Sequence, residues 1–99
     1  MSTSFNPGTE SDDRLHEGIR LWMLGYNEDA IRVWEENVRF CEANHDSEAV
    51  KVQLPYVFTV RNLCLAYRWA GKDQKASEWL RKCTEIVGKD VADRLFTGT

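Results

Sequence analysis

Cys41 and His45 stand four residues apart, the spacing at which two metal ligands share one side of a helix. Two ligands do not make a zinc site, and the one other histidine, His16, lies far back in the chain. Cys64 and Cys83 sit at small positions within apolar helical patterns, which suits a buried thiol better than a nucleophile. Asp12-Asp13 and Glu35-Glu36 are paired carboxylates, but acid-base work needs a cleft around them that a small helical stack does not offer. The glycines at 18, 25, 71 and 88 are isolated from any phosphate-cradling or dinucleotide pattern. No enzyme activity, cofactor or metal is therefore expected, and the informative residues are those that pack.

The chain has 99 residues, 42% of them hydrophobic, with four Trp, three Tyr and four Phe. That is enough for one small folded domain with a modest core. Net charge is -3, unevenly spread: residues 1–50 hold eleven acids against four arginines, and residues 51–99 hold five acids against nine bases. Such polarity can steer a partner or favour association between copies. Overall acidity argues against nucleic acid as the main ligand, because a phosphate-binding face needs dense positive charge. An odd count of three cysteines points to a reducing compartment, so a cytoplasmic or nuclear location is expected. With no leader-like N-terminus and no run long enough to span a bilayer, direct membrane insertion is not expected. The ending Phe96-Thr97-Gly98-Thr99 carries no stopping signal, which suggests a domain excised from something longer.

Residues 1–11 are rich in small and turn-forming types and read as a mobile tail, with Ser11 or Asp12 capping a first helix. Leu15, Ile19, Trp22 and Met23 follow at helical spacing, with Gly18 and Leu21 on a neighbouring face. Gly25 ends that helix, Asn27 caps the next, and Ala30, Ile31, Trp34, Val38 and Cys41 form its apolar side. After a turn at 44–47 the helical pattern runs from 48 to 70, and Pro55 inside it predicts either a nearly continuous helix with a bend, the preferred reading since no glycine or loop-forming cluster accompanies the proline, or a short helix over 48–53 ahead of a main one beginning near Pro55. Gly71 then repeats the role of Gly25, Asp73 that of Asn27, and Ala76, Trp79, Leu80 and Cys83 line a fourth helix that Gly88 closes. Residues 90–96 suffice for a short capping helix.

The two halves align over a period of 46: Gly18 with Cys64, Leu21 with Tyr67, Gly25 with Gly71, Ala30 with Ala76, Trp34 with Leu80. Small residues let paired helices approach, and large ones fill the groove between pairs. On these residues, over about 14–42 and 60–87, the chain resembles the tetratricopeptide repeat family. The resemblance implies an all-α fold, a right-handed stack of two helical hairpins (12–44 and 48–88) closed by a short C-terminal capping helix at 90–96. It assigns structural roles to Gly18, Gly25, Ala30, Trp34, Cys64, Tyr67, Gly71, Ala76, Trp79 and Leu80. The sequence departs from the family pattern at Arg14, Glu17 and Asn37, where apolar or small residues are usual, and its period exceeds the usual 34.

In that family the first helix of each hairpin lines a concave binding face. Carried across, the face comprises Leu15, Ile19, Trp22, Phe58, Arg61, Leu65 and Arg68, an apolar surface with two bases. It would suit an amphipathic helix or extended peptide bearing an acid, so the resemblance implies a protein–protein adaptor or scaffold. The alternatives are homo-oligomerisation through the same face, or burial of Leu15, Ile19 and Trp22 by the N-terminal tail, the terminal helix or a second copy of the chain. The lysines and asparagines of a carboxylate clamp are missing at the matching positions. A nucleic-acid accessory role for Arg61, Arg68, Lys72, Lys75, Arg81 and Lys82 ranks last, since helical spacing scatters these bases over several faces.

Overall fold

The computed structural model describes residues 7–97, so most of the expected tail, residues 1–6, lies outside the described residues. The fold is all-α: α1 (Pro7–Met23), α2 (Asn27–Asn44), α3 (Leu54–Trp69), α4 (Asp73–Val87) and α5 (Lys89–Thr97), with a 3-10 turn at Val50–Val52. Consecutive helices pack on one another, and α1 also reaches α3. None of the described helices is long and apolar enough to cross a membrane.

Both hairpin turns are built alike. Gly25 and Gly71 have φ of 92° and 76°, the left-handed region that glycine enters without a Cβ penalty. Around the first, the Tyr26 amide donates to the Leu21 carbonyl (2.9 Å) and the Gly25 amide to that of Trp22 (3.1 Å). Around the second, the Lys72 amide donates to Tyr67 (2.9 Å) and the Gly71 amide to Arg68 (3.0 Å). These paired bonds satisfy the orphan carbonyls of a helix end, and every position recurs 46 residues on. The expected caps are displaced by one residue. Tyr26 and Lys72 hold the N-cap positions without a side-chain bond, and Asn27 and Asp73 are the first residues of their helices.

Two element boundaries differ from expectation. Helix α1 starts a turn before Ser11, at Pro7, whose fixed φ and missing N–H suit a first helical position. Ser11 is buried inside the helix and donates to the Gly8 carbonyl. The pattern from 48 to 70 is not one bent helix either. The Asp46 carboxylate accepts from the Glu48 and Ala49 amides (3.0 and 2.7 Å), starting a separate turn. Gln53 is then extended (φ -85°, ψ 110°), and Pro55 falls in the opening turn of α3, where its lost donor costs nothing.

The core follows the repeat. Ala30 and Ala76 are buried, as are Gly18 and Cys64, the small positions where paired helices meet. Trp34 lies over Gly18 and donates from Nε1 to the Leu15 carbonyl (3.1 Å). Asn37, fully buried, donates from Nδ2 to the Ser11 carbonyl and to Thr59 Oγ1, both at 3.0 Å, so one side chain fastens α1, α2 and α3. Two tyrosines of α3 donate to carboxylates of α2: Tyr56 to Glu42 (2.7 Å) and Tyr67 to Glu35 (2.6 Å).

Burial and the adjoining Glu35 carboxylate push the Tyr67 hydroxyl from 10.0 up to about 12. The folded protein holds that proton more tightly than the unfolded chain, so the contribution is whole below pH 10 and is lost as pH rises through about 12. Denaturant titrations at pH 9 and pH 11 are expected to show a larger loss of stability for the parent than for Tyr67→Phe. Equal losses would deny the tyrosine this role.

Candidate functional site

A groove of about 350 Å³ runs between α1 and α3, lined by Ile19, Trp22 and Met23 on one wall and Asn62, Leu65 and Trp69 on the other, with Trp34 and Ala66 deeper. Its walls match in register, since Ile19 and Leu65, and Met23 and Trp69, are positions 46 apart. Three tryptophans run from core to surface. Trp34 is buried, Trp22 stacks on it at 6.0 Å between ring centres, and Trp69 meets Trp22 edge-on at 5.2 Å. Trp69 itself is 69% exposed, and beyond it at the turns Met23 (79%), Leu24 (73%) and Tyr26 also face water. A cluster of large apolar side chains at one end of a small domain is the kind of patch that marks an interaction surface.

Of the seven residues assigned to a binding face, Ile19, Trp22 and Leu65 line the groove. Leu15 does not: it is 7% exposed and belongs to the core. Phe58 is exposed and is not among the residues that line the groove. Arg61 and Arg68 turn toward α5. The Arg61 Nε donates to the Leu95 carbonyl (3.0 Å), and the Arg68 guanidinium lies 5.8 Å from the centre of the Phe96 ring. The reason is the repeat itself. Positions 15 and 22 look toward the next helix in line, α3, and their counterparts 61 and 68 look toward α5. The bases thus hold the last helix, Arg61 at its negatively polarised C-terminal end, and are not aimed at a ligand in the groove.

Sequence reasoning missed Met23, Asn62 and Trp69 as groove residues. Met23 follows Ile19, and Trp69 follows Leu65, by four residues, so each shares a helical face with an assigned neighbour.

A second hollow, of about 370 Å³, lies between the end of α2, the 3-10 turn, α3 and α4, and includes Glu42, His45, Lys51, Tyr56, Lys82 and Glu85. Its central charge is already engaged. Burial pushes the Glu42 carboxyl up, but the bonds from Lys82 (2.8 Å) and Tyr56 outweigh it and hold the group below its ordinary value. The cluster fastens α2, α3 and α4. Helix α2 ends at Asn44 and His45 is extended (φ -140°, ψ 149°), so Cys41 and His45 do not share a helical face. Cys41, Cys64 and Cys83 are free and buried, and burial raises each thiol above its ordinary value, away from the reactive thiolate. The side chains that make this molecule distinctive are those of the groove. No family model matches the sequence, nor does any curated protein or solved structure, so the reading of the groove rests on its own chemistry.

Proposed function

We propose that the chain is a protein–protein interaction module, an adaptor of the tetratricopeptide kind, that takes an apolar helical surface of another polypeptide into the groove between α1 and α3. The observation that carries this reading is the row Trp34–Trp22–Trp69, a rigid aromatic ladder whose outer ring stands free beside an open apolar groove. Tryptophan anchors dominate protein interfaces because they bury much area at little conformational cost. The identical turns at Gly25 and Gly71 support the repeat assignment, and three buried free thiols support a cytoplasmic or nuclear setting.

Trp69→Glu and Leu65→Glu test it. Trp69 is exposed, so the first variant is expected to keep its helical circular dichroism and melting temperature while losing about 30-fold or more in partner affinity, roughly 2 kcal/mol. Immobilised parent and variants are compared for capture from cell extract and then by titration with the captured species. Equal capture by parent and both variants would remove the groove as the docking surface.

A further inference from the structure

Arg61 and Arg68 are two cations that no carboxylate meets. Among the described residues neither forms an ion pair. Helix α5 offers them neutral groups instead, the Leu95 carbonyl on Arg61 Nε and the Phe96 ring 5.8 Å from the Arg68 guanidinium. Its own acids are spent elsewhere: Asp90 and Asp93 are exposed, and Asp93 accepts from Lys89 (3.0 Å).

The same helix is lightly held. Its nine residues are fewer than the about 12–15 that an isolated helix needs in water, so α5 persists through what it buries. That is little: Ala92 is buried, Leu95 and Phe96 are half-buried, and Val91 is 41% exposed. It packs chiefly on α4 and reaches α3 through the two arginines. One residue joins it to α4, Gly88 with φ 87° and ψ 160°, a backbone region open to glycine. Segments with few buried contacts open at a lower cost than the whole fold.

We propose that α5 is a strap that opens at Gly88, and that the α3–α4 face beneath it takes an acidic amphipathic helix of another polypeptide in its place. Register locates the face. Arg61 and Arg68 stand 46 residues on from Leu15 and Trp22, so α5 rests on α3 where α3 rests on α1, and a helix fits there. Charge selects the occupant. A carboxylate gives a guanidinium charge attraction and a two-point grip that a carbonyl or a ring does not. An invading helix with an acid facing Arg68 therefore gains what α5 lacks, against the small area that α5 buries. The face is separate from the groove, whose lining includes neither arginine.

Two measurements on the full chain test this. In native-state hydrogen exchange the amides of 93–96 are expected to exchange at least about 10-fold faster than interior amides of α3. Exchange at the α3 rate would mean that α5 opens only with the whole fold, and overturns the strap. The second measurement titrates the chain with a labelled peptide of residues 88–97 carrying Phe96→Glu, and with its neutral twin carrying Phe96→Gln, by fluorescence polarisation. Ala92→Asp sets a carboxylate at a site 1% exposed, so α5 no longer seats. The parent presents the face only while α5 is open, so the Ala92→Asp chain is expected to bind the Glu peptide about 10-fold or more tightly than the parent does. It should prefer the Glu peptide to the Gln twin by about 3–5-fold, and Arg68→Gln in the same chain should erase that preference. Leu95→Ala, a milder release, repeats both comparisons should Ala92→Asp lose helicity in α1–α4. Equal affinities for the two peptides overturn the acidic occupant. Equal binding by parent and released chains, or no binding by either released chain, overturns the strap.

Discussion

Gly18→Ala is expected to lower the melting temperature by about 5–15 °C, although the same exchange in an ordinary helix interior raises stability. Alanine gains roughly 1 kcal/mol over glycine in helix propensity. Against that, a Cβ at position 18 would overlap the Trp34 indole. The indole has nowhere to go: it is 4% exposed, bonded from Nε1 to the Leu15 carbonyl and stacked on Trp22. Overpacking of a fixed core costs about 1–3 kcal/mol, sometimes more, and here the buried ring, its hydrogen bond and its stack all shift together. The overlap therefore wins, and Gly18→Val should cost more still. The second hairpin supplies the compensating pair, since Cys64 and Leu80 stand where the first has Gly18 and Trp34. A thermodynamic cycle with Gly18→Ala, Trp34→Leu and the double variant is expected to give a favourable coupling of about 1 kcal/mol or more. A higher melting temperature for Gly18→Ala would refute the close approach.

That pair also shows what the sequence carries. Glycine at a helix end announces a left-handed residue, and its return after 46 positions, with small residues seven before and five after, marks two hairpins of one design. Backbone requirements of this kind are written locally. Side-chain destinations are not. Leu15 and Ile19 differ by about 40° around α1, yet one is core and the other lines the groove, a difference set by how close α3 comes. Arg61 and Arg68 match Leu15 and Trp22 in register, but what they meet depends on α5 folding back, which periodicity within α3 does not reveal. Pro55 is ambiguous for the same reason. A proline suits a helix start or a kink, and the choice is made by the Asp46 carboxylate nine residues earlier, which draws the chain into a separate turn.

Asn37→Asp changes one amide to a carboxyl of the same shape and is expected to cost about 3–5 kcal/mol at neutral pH, the range for an uncompensated buried charge. The amide is fully buried, and its two Nδ2 hydrogens go to the Ser11 carbonyl and to Thr59 Oγ1. Thr59 spends its own hydroxyl hydrogen on the Pro55 carbonyl (2.6 Å), so its oxygen is an acceptor toward Asn37. An ionised carboxylate there sets acceptor against acceptor on both sides, with no cation near enough to pair with it among the bonds of this layer. Protonation restores one donor and removes the charge, so the folded state raises the new carboxyl above its unfolded value of about 3.9. The penalty is therefore least below pH 4 and grows as pH rises through the folded value. Asn37→Ala, which only deletes the donors, should cost about 1–3 kcal/mol and show no such slope. Denaturant titrations of parent and both variants at pH 4.5 and 7.5 separate these effects, because a mere cavity would destabilise equally at both. A pH-independent cost for Asn37→Asp would mean that water enters this layer, and that the three-helix fastening is looser than its 3.0 Å bonds require.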